Sequence, residues 1–458
     1  MSSKLSPAHP SYQSVRIRPI SRAERIALGR ELRHRVSRAS MADWKPDSRR
    51  PDPVAQIVQS HEGRLAPLVP IRVERMAASP YGFLRGATVV MARDFSRLKA
   101  TGITPVICGD AHMGNFGFYA SPERDLVLDL NDFDEAHPGP WEWDLRRLVV
   151  SLWIAGRQNG ATEAGCGDSV MACVASYRET IRFLASQPLL WRSFQRLNVG
   201  QLRTAVKEES LRREIARAIT VARTRTSDRA LPKFTAAGRA GRQIVDRPPL
   251  ITRVTGQLAD RIGRALDNYL VTLAPHWRRV VGGYTLVDVA HKVVGVSSVG
   301  LRSYVALLEG SSPDDVIFLQ LKQARRSVVA PYVHGDSPRH AHQGQRVVEY
   351  QQALQTVSDP LLGWTTIDGL PYYVRQFRDM KGAVPVEAIK AGALNDYARI
   401  LGQLLAKGHA RTSGASMIAG YAGGSMRLDT ALKNFARAYA DQVEGDYEKF
   451  ARAVARRL

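Results

Sequence analysis

Cysteine is scarce in this chain. Cys108, Cys166 and Cys173 are the only three, too few and too irregularly spaced for a disulfide framework or a zinc site. That shortage fits a reducing compartment, and the expectation is a cytoplasmic protein. Long apolar runs are also missing. No stretch approaches the roughly 20 residues that a membrane span needs, and the polar start MSSKLSPAHPSYQSVRIRP lacks a signal-peptide core. Negative charge is short too: 43 acidic residues face 65 basic ones among 458, a formal charge of +22. This excludes an acidic, halophile-like surface and predicts attraction to phosphates without naming one. A hydrophobic content of 44% excludes wholesale disorder, and neither an internal repeat nor a low-complexity tract is present.

What is present divides into four parts of an α+β chain. Residues 1–72 read as an Arg- and Pro-rich N-terminal extension with one helical stretch, SRAERIALGRELRHRV. Residues 73–275 read as a mostly helical unit. Its helix from about Tyr81 to Lys99 precedes two short strands, ITPVICGD and DLVLDLNDF, which flank a polar loop, GDAHMGNFGFYASPER. A long helical region follows to about Arg225, and residues 225–250 read as a basic, mobile loop. Residues 276–385 follow the order β-β-β-α-β-β, and residues 386–458 are helical again.

The densest chemistry lies in Cys108-Gly109-Asp110-Ala111-His112-Met113-Gly114-Asn115. Asp110 and Asn115 stand five residues apart in a loop directly after a strand. Phosphoryl transfer needs this pairing: an Asp to take the proton of an attacking hydroxyl and an Asn oxygen to hold magnesium. Asp132 and Asp134 close the second strand and add carboxylates for a hard, oxygen-ligated cation, with either as the ligand. Asp129 reads as solvent-facing. His112 has two readings, a catalytic group or a structural hydrogen-bond partner. Arg85 likewise reads as a phosphate contact or as a surface ion-pair residue.

The stretch GDAHMGNFGFY…LVLDLNDFDEAHPGPWEWDL resembles the catalytic loop and metal-binding segment of the aminoglycoside phosphotransferase and choline kinase branch of the protein-kinase-like superfamily. The resemblance implies Asp110 as the catalytic Asp, His112 as the His that follows it, and Asn115 and Asp132 as metal ligands. Asp144 matches the Asp at a helix start. Cys108 replaces the usual His, which touches a structural hydrogen bond. Over most of its length the chain is also similar to the bacterial family DUF2252, through RMAASPYGFLRG and GDAHMGNF.

Such a fold normally places its nucleotide-binding strands before the catalytic loop, and here they are absent from that position. The β-β-β-α-β-β block has their order instead. Gly295, Ser297, Ser298 and Gly300 occupy the turn between its first two strands, where a phosphate-covering loop would lie; an ordinary hairpin is the plainer reading. Lys322 ends the third strand, and a Lys in the apolar run IFLQLKQA must reach solvent or find an anionic partner. Glu349, in the next helix, either pairs with Lys322 or faces solvent. The expectation is therefore a two-lobed, kinase-like fold, circularly permuted, with the helix at 386–410 returning to the catalytic lobe.

The expected activity is ATP- and Mg2+-dependent phosphoryl transfer to an unidentified hydroxyl-bearing acceptor. AMP transfer, or nucleotide binding without turnover, stands as the alternative on the same fold. A basic nucleic-acid or scaffold-binding protein is the alternative from another class. The stretch Arg203 to Arg242 has few aromatics and no nucleic-acid-binding motif, so nucleic acid is not favoured. A solvated helical face suits that stretch better, and a rim for an acidic substrate comes next.

Overall fold

The computed structural model describes residue 16 and residues 18–238, 241–293, 295–333, 340–377 and 379–456. The fold is α+β, and its helices and strands segregate. One large core joins most of the helices, while a six-stranded antiparallel sheet has its own cores.

The sheet runs Gly363–Ile367, Leu370–Gln376, Val316–Gln323, Ser303–Glu309, Thr285–Lys292 and Ile251–Val254. Five of these strands, with the helix Gln343–Leu354, follow the expected β-β-β-α-β-β order. The sixth does not. Ile251–Val254 pairs with Thr285–Lys292, and the helix Gln257–Thr272 covers one sheet face through Ile262, Leu266 and Tyr269. The sheet unit therefore begins before residue 276. Its neighbour, the stretch read as a mobile loop, holds the helix Ser227–Phe234 and a two-stranded hairpin, Thr235–Gly238 with Gly241–Ile244. Arg242 in this stretch pairs with Glu309 at 2.9 Å, and Arg253 in the strand that follows pairs with Asp288 at 2.9 Å.

Alternation along the strands sorts the faces. Leu319, Leu321 and Val374 point into the core under Gln257–Thr272. Tyr373, opposite Lys322 in the register, joins the helical core on the other side. Helix Gln343–Leu354 also contributes Val347, Val348 and Leu354 to that core, so it bridges sheet and helices.

In the helical body, Leu394–Arg411 packs along Glu163–Ser186. Gly402 permits their close approach, since a Cβ there would lie 2.2 Å from the Cys173 carbonyl oxygen. The helix Arg22–Arg35 lies against Ala415–Ala422. The stretch expected as one helix from Tyr81 is two, Pro80–Gly86 and Thr88–Phe95, broken at Ala87. The FGFYA segment expected in a loop is a strand, Phe116–Ala120, paired with Leu126–Leu130. All three cysteines are free and buried.

Candidate active site

The loop after strand Val106–Ile107 is held from below by a helix start. Asp144, in the first turn of Trp141–Gln158, accepts hydrogen bonds from the backbone N–H groups of Cys108 at 2.6 Å and Gly109 at 2.8 Å. A carboxylate is favoured at this end of the helix dipole. His409 Nε2 lies 3.2 Å from the same carboxylate. Gly109 has φ 77° and a Cβ there would meet the Glu135 carbonyl oxygen at 2.3 Å, so only glycine fits before Asp110. The Cys108 thiol donates to the Asp132 carbonyl at 3.1 Å, so the residue makes a structural bond across the loop.

His112 is placed as a hydrogen-bond partner within its own loop. Its Nδ1 accepts from the Gly114 N–H at 3.1 Å and caps the short helix Met113–Asn115. Burial, reinforced by Arg85 and Arg147, pushes its pKa well below the usual value, so the ring is neutral. Its Nε2 stands 4.0 Å from Asp110, beyond hydrogen-bond reach. Asn115 is buried and donates from Nδ2 to the Asp110 carbonyl at 2.8 Å, which fixes the amide and leaves Oδ1 as its acceptor. Arg85 is half-buried near His112.

Asp110 is buried and engaged on one oxygen. Thr88 Oγ1 donates to Oδ1 at 3.1 Å, and Arg147 Nε donates to the same atom at 2.8 Å. The break at Ala87 brings Thr88 here, and Arg147 also donates to the Leu84 carbonyl at 2.8 Å. Burial raises the Asp110 pKa to about 6, against the opposing pull of Arg147. Sequence reasoning missed Arg147. Its signal is the second of two Arg residues that follow Asp144 just before the apolar run LVVSLWIA.

Lys322 reaches the acidic segment from the sheet. Its Nζ donates to Asp134 Oδ2 at 2.7 Å and stands 3.9 Å from Asp132 Oδ1. Burial alone would lower the Lys322 pKa, but Asp132 and Asp134 outweigh it and hold the ammonium above its usual range. Tyr373 Oη donates to the other Asp134 oxygen at 2.8 Å. Asp134 thus accepts a hydrogen bond on each oxygen and anchors Lys322, whereas the expectation had it as a possible metal ligand beside Asp132. Asp132 is different: its Oδ1 is buried without a hydrogen-bond partner.

Glu349 does not pair with Lys322. It binds His340 Nε2 at 2.8 Å and Gln345 at 2.8 Å. One turn earlier on the same helix, Arg346 faces the site and donates to the carbonyls of Ala136 at 2.6 Å and Asp134 at 2.8 Å. Asp129 is also corrected. It is buried and accepts from Lys407 Nζ at 2.5 Å.

The turn at 295–300 is clamped by the segment from Arg64 to Arg75. Arg64 Nη1 donates to the Val299 carbonyl at 2.5 Å, the Leu65 N–H to the Gly300 carbonyl at 2.8 Å, and Arg75 to the Gly295 carbonyl. Gly295 and Gly300 have φ of 74° and 89°. Ser297 and Ser298 line a cavity of about 290 Å³ together with Asp110, Asp132, Asp134 and Arg64. Glu135 also lines it, and burial raises its pKa to about 7 despite a hydrogen bond from the Val328 N–H.

Among the described residues no three His, Cys, Asp or Glu side chains are grouped to hold a metal ion. A cation here would draw on two acceptors, the Asp132 Oδ1 that lacks a hydrogen-bond partner and the Asn115 Oδ1, with its remaining ligands from water or phosphate. That open oxygen set suits magnesium, which keeps water and phosphate ligands.

A family model described as an uncharacterized protein conserved in bacteria, DUF2252, matches residues 64–453. The chain belongs to the DUF2252 family. The DUF2252 match opens at Arg64, the residue that clamps the 295–300 turn, and spans the whole candidate site. No curated protein and no solved structure matches the chain.

Proposed function

We propose that this protein transfers the γ-phosphoryl group of ATP to a hydroxyl-bearing acceptor, with Mg2+, on a circularly permuted kinase-like arrangement. One observation carries the reading. Asp110, Asp132 and the serines of the 295–300 turn border a single cavity, and Lys322, from the sheet, stands 3.9 Å from Asp132, one of the carboxylates that line it. Strand order gives further support: a three-strand meander, a helix, and a hairpin that adds beside the third strand.

Asp110 is the general base. With Oδ1 held by Thr88 and Arg147, Oδ2 is left to accept the hydroxyl proton as the new O–P bond forms and the bond from phosphorus to the bridging oxygen breaks. A pKa of about 6 leaves it ionised near neutrality. Lys322 and the backbone of the 295–300 turn hold nucleotide phosphates, and Asn115 and Asp132 hold the metal, which neutralises phosphate charge when bound.

The test is thermal stability with ATP, with and without Mg2+, followed by incubation with γ- and α-labelled ATP. A Mg2+-dependent shift and transfer of the γ label support the reading. Transfer of the α label would replace it with AMP transfer, and no nucleotide effect on the wild type would overturn it.

A further inference from the structure

Away from this cavity, the chain between the helices Glu163–Ser186 and Val199–Ala205 leaves a cluster of large apolar side chains uncovered. Leu190 is 71% exposed, Phe194 70%, Leu189 59%, Phe183 54% and Trp191 42%. The short helix Leu189–Ser193 buries none of its residues. Phe183 and Trp191 pack edge to face with ring centroids 5.9 Å apart, so the cluster is continuous across the two helices.

This exposure does not come from a loose backbone. Arg22 donates to the Ser186 carbonyl and Arg411 to that of Ser193, while Thr356 Oγ1 donates to the Gln195 carbonyl at 2.6 Å. The Leu128 N–H, in the hairpin behind the catalytic loop, donates to the Leu197 carbonyl at 3.2 Å. The segment is fixed at four carbonyls, and its apolar side chains still point outward. A rigid, exposed apolar cluster is the mark of an interaction surface.

The charge beside it names the partner. Arg192 lies close to Arg22 and Arg25, and none of the three forms an ion pair among the described residues. The acids nearby are committed elsewhere: Glu24 closes a capping box with Ser21, Glu123 and Asp125 pair with Arg196, and Glu179 faces Arg178. Uncompensated guanidinium groups around Leu, Trp and Phe match an anionic bilayer, whose headgroups take the cations and whose interfacial layer takes the rings and aliphatic tips. No described helix is long and apolar enough to cross a membrane, so the contact is peripheral.

We propose that this cluster docks the protein on the surface of an anionic lipid bilayer. Leu190, Trp191 and Phe194 enter the interface, and Arg22, Arg25 and Arg192 meet the lipid phosphates. The inference stands apart from the chemistry assigned to Asp110.

The test uses the full chain and two vesicle preparations, phosphatidylcholine alone and phosphatidylcholine with an equal part of phosphatidylglycerol, read by flotation. The expected result is binding to the anionic vesicles that weakens as salt is raised. The double variant Leu190→Asp/Phe194→Asp loses that binding while its thermal unfolding matches the wild type. Arg25→Glu/Arg192→Glu, which leaves the Arg22–Ser186 tie in place, weakens it by about thirtyfold or more, at roughly 1 kcal/mol per Arg lost from the surface. Absence of binding to either vesicle overturns the proposal, as does equal binding to both. Self-association measured by light scattering that disappears in Leu190→Asp/Phe194→Asp would assign the surface to a second copy of the chain and overturn it too.

Discussion

Lys322 and Asp134 form a 2.7 Å charge-assisted hydrogen bond across 188 residues of sequence. It joins the third strand of the β-β-β-α-β-β block to the segment that follows the hairpin Phe116–Ala120 and Leu126–Leu130. The bond divides labour between two neighbouring carboxylates: Asp134 is satisfied by Lys322 and Tyr373, and Asp132 keeps an oxygen without a hydrogen-bond partner.

That division predicts opposite signatures. Lys322→Met strands Asp134 in a part-buried site and should cost about 1–3 kcal/mol, below the 3–5 typical of a fully buried pair because the Asp134 side chain is still 23% exposed. Asp132→Asn should change stability little and remove most of the Mg2+-dependent part of the nucleotide-induced thermal shift. Urea unfolding and scanning fluorimetry on both variants check this.

The pH dependence follows from Asp110. Its pKa is about 6 in the fold against an ordinary 3.8, so the folded state holds the proton more tightly. The stability it contributes is full below about pH 4 and is lost as pH rises through about 6. Wild type should therefore lose melting temperature relative to Asp110→Asn over that interval. With Asp110 as the proposed base, activity should run the other way and rise through about pH 6 as the carboxyl ionises. In Arg147→Gln the cation that lowers this pKa is gone, and the acidic limb of the rate profile should move upward.

The pair Asp129–Lys407 is fully enclosed, with side-chain exposures of 2% and 7%. Lys407→Met should destabilise the protein by about 3–5 kcal/mol by leaving a buried charge alone. Adding Asp129→Leu should restore most of that loss. The two single variants and the double variant form a cycle measurable by denaturant midpoints.

On helix Gln343–Leu354 the two candidate partners of the site separate cleanly. Glu349→Gln should leave turnover and nucleotide affinity within about twofold, since it touches His340 and Gln345. Arg346→Gln should lower both, because its guanidinium holds the backbone on either side of Glu135. Steady-state kinetics on the two variants decide this.

The five strands from Thr285 to Gln376 were legible because β-branched and aromatic runs alternate with glycine turns. Phe116–Ala120 was not, since two aromatics and a glycine after a polar loop carry weak periodicity until the partner strand is known. The loop carboxylates were legible from spacing, and their partners were not. Asp129 illustrates why: alternation in LVLDL points it away from Leu126, Leu128 and Leu130, which reads as outward. Yet both faces of that strand are covered, and Lys407 of the helix Leu394–Arg411 meets it. Glu349 and Arg346 differ by one helical turn, and only the docking of that helix on the sheet decides which faces the site.

The distance in sequence between Lys322 and its two carboxylates also has a bearing on how the protein is made. Translation at roughly 5–20 residues per second exposes Asp132 and Asp134 some 10–40 s before Lys322 leaves the ribosome. The growing chain therefore carries an acidic half-site, without its neutralising cation, until most of the protein has been synthesised. The two halves of the candidate site meet late, after the sheet has been completed and docked.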